Sequence, residues 1–253
     1  MSDMPLETTR VDGFAGTPIA VHQMGDGRPV LLLHGLFSSA HVNWIKYGHA
    51  ARIAARGRRV IMPDFRVHGD SGAPHDPAAY PDDVLIADVA AVIAALDLAD
   101  FDLGGFSLGA RTVARLLTLG HRPKRAILAG MGLEGLTGWA RRRDFFLSVI
   151  DDRDSIGRGD PRWMSLQFMK TMKIDVDAAR LLLGTFQDVE VGALGTIDLP
   201  VLVLCGDEDQ DNGSASALAD LLPGGLLRTV PGTHMSSVAK PDLGEAMAQF
   251  LAP

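Results

Sequence analysis

Four short aliphatic runs, each bounded by turn residues and nearly free of interior polar side chains, constrain this chain more than any other feature. They are Pro29 to Leu33, Arg59 to Met62, Arg125 to Leu128 and Pro200 to Leu204. A strand with water on one face alternates apolar and polar residues, so unbroken runs of this length predict strands covered on both faces. Phe101 to Leu103 and Leu226 to Val230 are expected to add two more. Between the runs, His41 to Arg56, Asp82 to Leu96, Leu108 to Leu119, Ser214 to Leu222 and Pro241 to Leu251 place apolar residues three and four apart, the period of a helix with one buried face. This alternation predicts right-handed βαβ units around a mostly parallel sheet flanked by helices, an α/β class. Ahead of the first crossover, residues 14–30 suggest a hairpin that turns at Gly25-Asp26-Gly27.

The alternation breaks once. From about Leu133 to Gly192 there is no buried-strand signal. Three helical segments are expected instead: Trp139 to Ile150, Pro161 to Lys173 behind Asp160 as cap, and Val176 to Phe186 behind Asp175. The stretch holds two of the three tryptophans, Trp139 and Trp163, and four of the ten phenylalanines. Such aromatic enrichment predicts a helical lid over an apolar pocket. Residues 1–132 and 193–253 would then form the core, with 133–192 inserted as a cap, a length that one α/β domain accommodates.

Gly105-Phe106-Ser107-Leu108-Gly109 lies where an expected strand gives way directly to an expected helix. A serine on so sharp a turn needs small residues two positions to either side, because backbone segments crowd there. Ser107 would sit at the carboxyl end of a central strand, where open α/β sheets bind ligands. The helix's first amide, that of Leu108, would face a developing oxyanion.

A serine hydroxyl needs a base, and histidine suits that task near neutral pH. Of eight histidines, His234 lies in a loop between the last strand and the last helix and is the best placed. Its imidazole needs a carboxylate on the other nitrogen; Asp207 and Asp209, at the end of the Pro200 to Leu204 strand, are the candidates. The chain order Ser, Asp, His is the one a strand-turn-helix nucleophile uses. A second oxyanion amide is expected from Leu36, after Gly35 in the loop that follows the first buried strand. Phe37, Phe106 and Met235, beside these residues, and Trp139 from the lid are expected to make the substrate pocket apolar.

Composition narrows the partners. A net charge of −7 without a clustered basic face argues against nucleic acid. The single cysteine, Cys205, permits no intrachain disulfide, so a cytoplasmic setting is expected. The first ten residues lack the apolar core of a signal peptide, and Val84 to Leu96 carries Asp88 and is too short to span a bilayer, so no membrane partner is expected. The expected partner is a small acyl substrate, with no metal and no cofactor.

At this point the chain resembles, over essentially its whole length, the α/β-hydrolase superfamily, and within it the small cap-bearing branch of esterases, perhydrolase-type haloperoxidases, lactonases and carbon-carbon bond hydrolases. His34-Gly35 followed by Leu36 is similar to the family's His-Gly oxyanion motif, and residues 105–109 to its nucleophile motif. Asp64 to Gly72 resembles Asp-x-Arg-x-His-Gly-x-Ser, which implies a structural His68. Gly206 to Asp209 is similar to the Gly-x-x-Asp acid motif, which implies Asp209 rather than Asp207. Thr233 stands before His234 where the family carries glycine or a similar residue.

The likeness implies acyl transfer, with a carboxylesterase as the broadest reading. Cleavage of a carbon-carbon bond or an enol-lactone in a carboxylate-bearing substrate, or perhydrolase-type haloperoxidase activity, are alternatives. A non-catalytic ligand receptor on the same fold is another. Arg111 and the cap residues Arg141 to Arg143 are candidates for a substrate carboxylate; structural and solvated-face roles compete with that reading.

Overall fold

In the computed structural model, which describes residues 4–252, the aliphatic runs form the middle of one eight-stranded sheet. Residues 1–3 and 253, which the leader and boundary readings also touch, lie outside the described residues. The strands are β1 (Leu6–Asp12), β2 (Pro18–Met24), β3 (Arg28–Leu33), β4 (Arg58–Pro63), β5 (Asp102–Phe106), β6 (Ala126–Ala129), β7 (Val201–Gly206) and β8 (Gly225–Val230), ordered β1-β2-β4-β3-β5-β6-β7-β8. From β4 to β8 all neighbours are parallel, and β2 alone is reversed, antiparallel to both of its neighbours, β1 and β4. Every residue of β5, β6 and β7 is buried, which is why their sequences do not alternate. Leu31, Leu33, Leu103 and Leu128 feed the core on one face, Val30, Leu32, Val60 and Ile127 the core on the other.

Two local expectations are corrected. Gly25-Asp26-Gly27 is not a hairpin turn: β2 pairs with β4, and β3 lies beyond it. The chain crosses under the end of β4 here, so close that a Cβ on Gly27 would sit 2.4 Å from the Gly57 carbonyl oxygen. The hairpin is one element earlier, joining β1 to β2 through Phe14–Gly16. The helix expected over His41 to Arg56 is broken at Gly48, whose φ of 74° ends the first turn. That turn closes from the Lys46 amide to the His41 carbonyl, and α1 (His49–Ala54) starts afresh.

The remaining helices of the sheet region are α2 (Val84–Ala95) and α3 (Leu108–Thr118). Between β6 and β7 the only regular structure in the described chain is helical: α4 (Leu133–Thr137), α5 (Trp139–Asp151), α6 (Trp163–Thr171), α7 (Val176–Leu183) and α8 (Val191–Leu194). Asp175 caps α7, its Oδ1 accepting from the amides of Asp177 and Ala178. Asp160 accepts from the Arg162 amide at 2.7 Å, and α6 begins one residue later than that bond. After β7 come α9 (Ala215–Leu221), β8, α10 (His234–Ser237) and α11 (Pro241–Phe250). Among the described residues no helix is long and apolar enough to cross a membrane.

Candidate active site

Strand β5 ends at Phe106 and α3 starts at Leu108, so a single residue makes the turn. That residue, Ser107, has φ 53° and ψ −112°. A non-glycine residue held in such a region costs on the order of 1–3 kcal/mol and persists only where its surroundings fix it. Here the Ser107 amide donates to the Ala129 carbonyl at 2.8 Å, and the Ser107 carbonyl accepts from the Arg111 amide at 2.9 Å. The flanking glycines allow the crossing: a Cβ on Gly109 would lie 2.0 Å from the Leu33 oxygen, and one on Gly105 2.2 Å from the Gly109 carbonyl carbon.

Two loops bring Asp209 and His234 to this turn. Asp209 follows β7, and His234 opens α10 after β8. His234 Nδ1 lies 2.8 Å from Asp209 Oδ2, and both residues are buried. Asp207 does something else: its Oδ1 accepts from the Gly232 amide at 2.7 Å, tying the two loops together. Thr233 caps α10, its hydroxyl accepting from Ser236 N, so the departure from glycine supplies a helix cap. The Phe106 ring packs on the imidazole at 4.9 Å between centroids. A Cβ on Gly130 would touch both rings, at 2.7 Å from Phe106 and 3.1 Å from His234. No hydrogen bond joins Ser107 Oγ to His234 among the described residues. Such bonds are often long before substrate binds and tighten afterwards.

Leu36, Ser107 and Leu108 line one cavity of about 280 Å³, counting its open mouth, together with Met131, Trp139, Arg142 and Phe146. Neither the Leu36 nor the Leu108 amide has an acceptor among the described residues. Of the four expected pocket residues only Trp139 lines this cavity. Phe37 is buried against Phe146 and the His68 ring, Phe106 lies under His234, and Met235 is 60% exposed. Met131, Asn212 and Phe146 were not expected there. Phe146 carried a signal in the aromatic content of its segment; Met131 and Asn212 carried none.

The arginines divide. Arg111 also lines the cavity, but its guanidinium is engaged: it donates to the Gly135 and Gln187 carbonyls at 2.6 and 2.7 Å and to Asp188 Oδ1 at 2.8 Å, beside the Trp139 ring. Arg143 pairs with its neighbour Asp144, and Arg141 is exposed. Arg142 faces the cavity, donates to the Asp211 carbonyl at 2.8 Å, and has no carboxylate partner among the described residues. Burial lowers its pKa from the ordinary arginine value.

Burial also pushes His68 down to about 3, aided by His34 beside it, and lowers His34. The Cys205 thiol is raised to about 11 by burial and by Asp209, which makes it a poor nucleophile. Among the described residues two groups, His22 with Asp64 and Asp70, and Asp209 with Asp211 and His234, bring possible metal-ligand atoms within 4.8 Å of one another. Asp64 already accepts from the Ala40 and Asp70 amides, and the second group contains the His234–Asp209 hydrogen bond.

A family model described as the alpha/beta hydrolase fold matches residues 28–168, and the chain belongs to that family. Over 131 residues it is 31% identical to the 2-hydroxy-6-oxo-2,4-heptadienoate hydrolase of Pseudomonas putida, covering 51% of this chain and 47% of that protein. Over 120 residues it is 37% identical to a non-heme haloperoxidase of Rhodococcus erythropolis, covering 46% and 41%. The chain thus spans about half the length of the curated relatives it matches. Among solved structures, an esterase from Exiguobacterium antarcticum superposes with a TM-score of 0.78 at 21% identity, over 96% of this chain and 99% of that one.

Proposed function

We propose that the protein is a serine hydrolase that cleaves carboxylic esters through an acyl-enzyme on Ser107. The observation that carries this reading is the 2.8 Å contact of His234 Nδ1 with Asp209 Oδ2, beside a serine in a left-handed turn conformation. Asp209 accepts a hydrogen bond from Nδ1–H, which keeps that proton on Nδ1 and leaves Nε2 bare to take the proton of Ser107 Oγ as it attacks the carbonyl carbon. The tetrahedral oxyanion accepts from the Leu36 and Leu108 amides. His234 then protonates the leaving alcohol. Water enters and attacks the acyl carbon while giving one proton to the same imidazole, which returns that proton to Ser107 Oγ as the acid leaves. In this reading residues 133–192 form a lid that places Trp139 and Phe146 over the nucleophile, on a core of residues 1–132 and 193–253.

Arg142 favours a second reading, since a substrate carboxylate would complete its hydrogen bonding. The substrate would then be a carboxylate-bearing dienoate or enol-lactone, in line with the likeness to a 2-hydroxy-6-oxo-2,4-heptadienoate hydrolase. The likeness to a non-heme haloperoxidase adds a related use of the same acyl-enzyme, in which hydrogen peroxide instead of water attacks the acyl carbon and releases a peracid. A panel of short-chain aryl esters, lactones and vinylogous diketo acids, with a fluorophosphonate probe, separates these. Turnover of aryl esters with labelling supports the esterase. Preference for the diketo acids supports the second reading, and a chain inert to every substrate and to the probe supports a ligand-binding receptor instead.

A further inference from the structure

We infer that Asn43 and His68 are positioning residues that clamp the peptides on either side of the Gly35–Leu36 peptide and so aim the Leu36 amide as an oxyanion donor; this rests on the serine-hydrolase reading above. Three consecutive peptide planes follow β3, and each is held differently. In the first, the Gly35 amide donates to Asn43 Oδ1 at 2.9 Å. In the second, the Gly35 carbonyl accepts from His34 Nδ1 at 2.8 Å and from the Ser38 amide at 3.2 Å. The N–H and C=O of a trans peptide point opposite ways, so fixing that carbonyl turns the Leu36 N–H to the other side, where it meets no acceptor among the described residues. In the third, the Phe37 amide donates to His68 Nε2 at 2.9 Å.

The third clamp opposes strain. Phe37 has φ 56°, a region that costs a bulky side chain about 1 kcal/mol or more. The state of His68 is fixed by its other nitrogen: Nδ1 lies 2.8 Å from the Arg66 carbonyl, which can only accept, so Nδ1 carries the proton and Nε2 is a bare acceptor. Without that acceptor the buried Phe37 amide has no partner, and rotation of its peptide to find one would drag the Leu36 plane with it.

The test compares His68→Gln, which keeps an acceptor near the Nε2 position, with His68→Met, which has similar length and no comparable acceptor. Both are assayed on p-nitrophenyl butyrate and with an arylboronic acid, whose tetrahedral serine adduct places an oxygen anion where the intermediate would. The Gln variant is expected within a few-fold of wild type. The Met variant is expected to lose at least about tenfold in kcat, towards the hundredfold that loss of an oxyanion donor costs. KM should be little changed, and boronate affinity should fall in parallel with kcat. Equal kcat for the two variants, or a loss confined to KM, overturns the inference. If His68→Met fails to fold by circular dichroism, Asn43→Leu is read the same way against wild type, and an unchanged kcat overturns the clamp. A wild type that turns over no ester and binds no boronate removes the parent reading itself, whereas an active wild type with equivalent variants removes only this one.

Discussion

His234 and Asp209 meet at 2.8 Å although one opens a helix after β8 and the other lies in the loop after β7, 25 residues apart in sequence. Both are less than a tenth exposed, so no water competes strongly for the carboxylate oxygen. An asparagine at 209 could present its amide N–H to Nδ1 and leave the proton on Nε2, the wrong tautomer for a base. Asp209→Asn is expected to lower kcat towards the ten-thousandfold seen for such acids in serine hydrolases. Asp207→Asn, which disturbs only the tie to Gly232, should keep kcat within about tenfold of wild type, since its partner is a backbone amide rather than His234. Steady-state kinetics on an aryl ester check both.

The crossing of α3 over β3 leaves no room beside Gly109. Gly109→Ala would drive a methyl group to 2.0 Å from the Leu33 oxygen, in a region where backbone meets backbone. Overpacking usually costs about 1–3 kcal/mol, and rigid neighbours place this case at or above the top of that range. The expected result is a large fall in the urea midpoint or loss of soluble protein.

Arg111 joins the helix that carries Ser107 to both ends of the inserted helices, through Gly135, Gln187 and Asp188. Arg111→Met would leave these acceptors without their donor. A loss of about 2 kcal/mol is expected, most of it from the buried carbonyl of Gly135, because Asp188 is half-exposed and water can replace its partner. Thermal unfolding monitored by circular dichroism reads it.

Much of this site was legible because its parts sit at strand ends. β3, β4, β6 and β7 read as aliphatic runs since both faces of the sheet are covered, and Ser107 stood out as a candidate nucleophile since its glycines mark a close crossing. The pocket was not legible in the same way. Phe106 and Met235 adjoin Ser107 and His234 in sequence, but neighbours on a strand or helix point in different directions, so one lies under the imidazole and the other faces out. The cavity walls come from Met131, Phe146 and Asn212, which local patterning does not connect. β1 was invisible because nearly all its residues are exposed and it lacks an apolar run. The Gly25 to Gly27 turn was misread because hairpins and tight crossovers use the same residues, and only the strand order separates them.

His68 makes stability pH-dependent. Its pKa of about 3 in the folded protein lies below the ordinary 6.5, so under pH 6.5 the unfolded chain takes up a proton that the folded one does not. The full contribution is present above pH 6.5 and is lost as pH falls towards 3, at up to about 1.4 kcal/mol per pH unit. By pH 5 that is about 2 kcal/mol. His34 and His49, also lowered, act in the same direction, and His22, raised by its bond to Asp64, acts against them. Urea midpoints at pH 7.5 and 5.0 should therefore fall more for wild type than for His68→Gln, and equal falls would contradict this account.

The central claim is that Ser107 is the nucleophile, and intact-protein mass spectrometry after treatment with a fluorophosphonate tests it most directly. Wild type is expected to gain one phosphonyl group, mapped by peptide sequencing to Ser107, while folded Ser107→Ala gains none and hydrolyses no aryl ester. An unlabelled wild type, or a Ser107→Ala variant that labels and turns over ester like wild type, would contradict it.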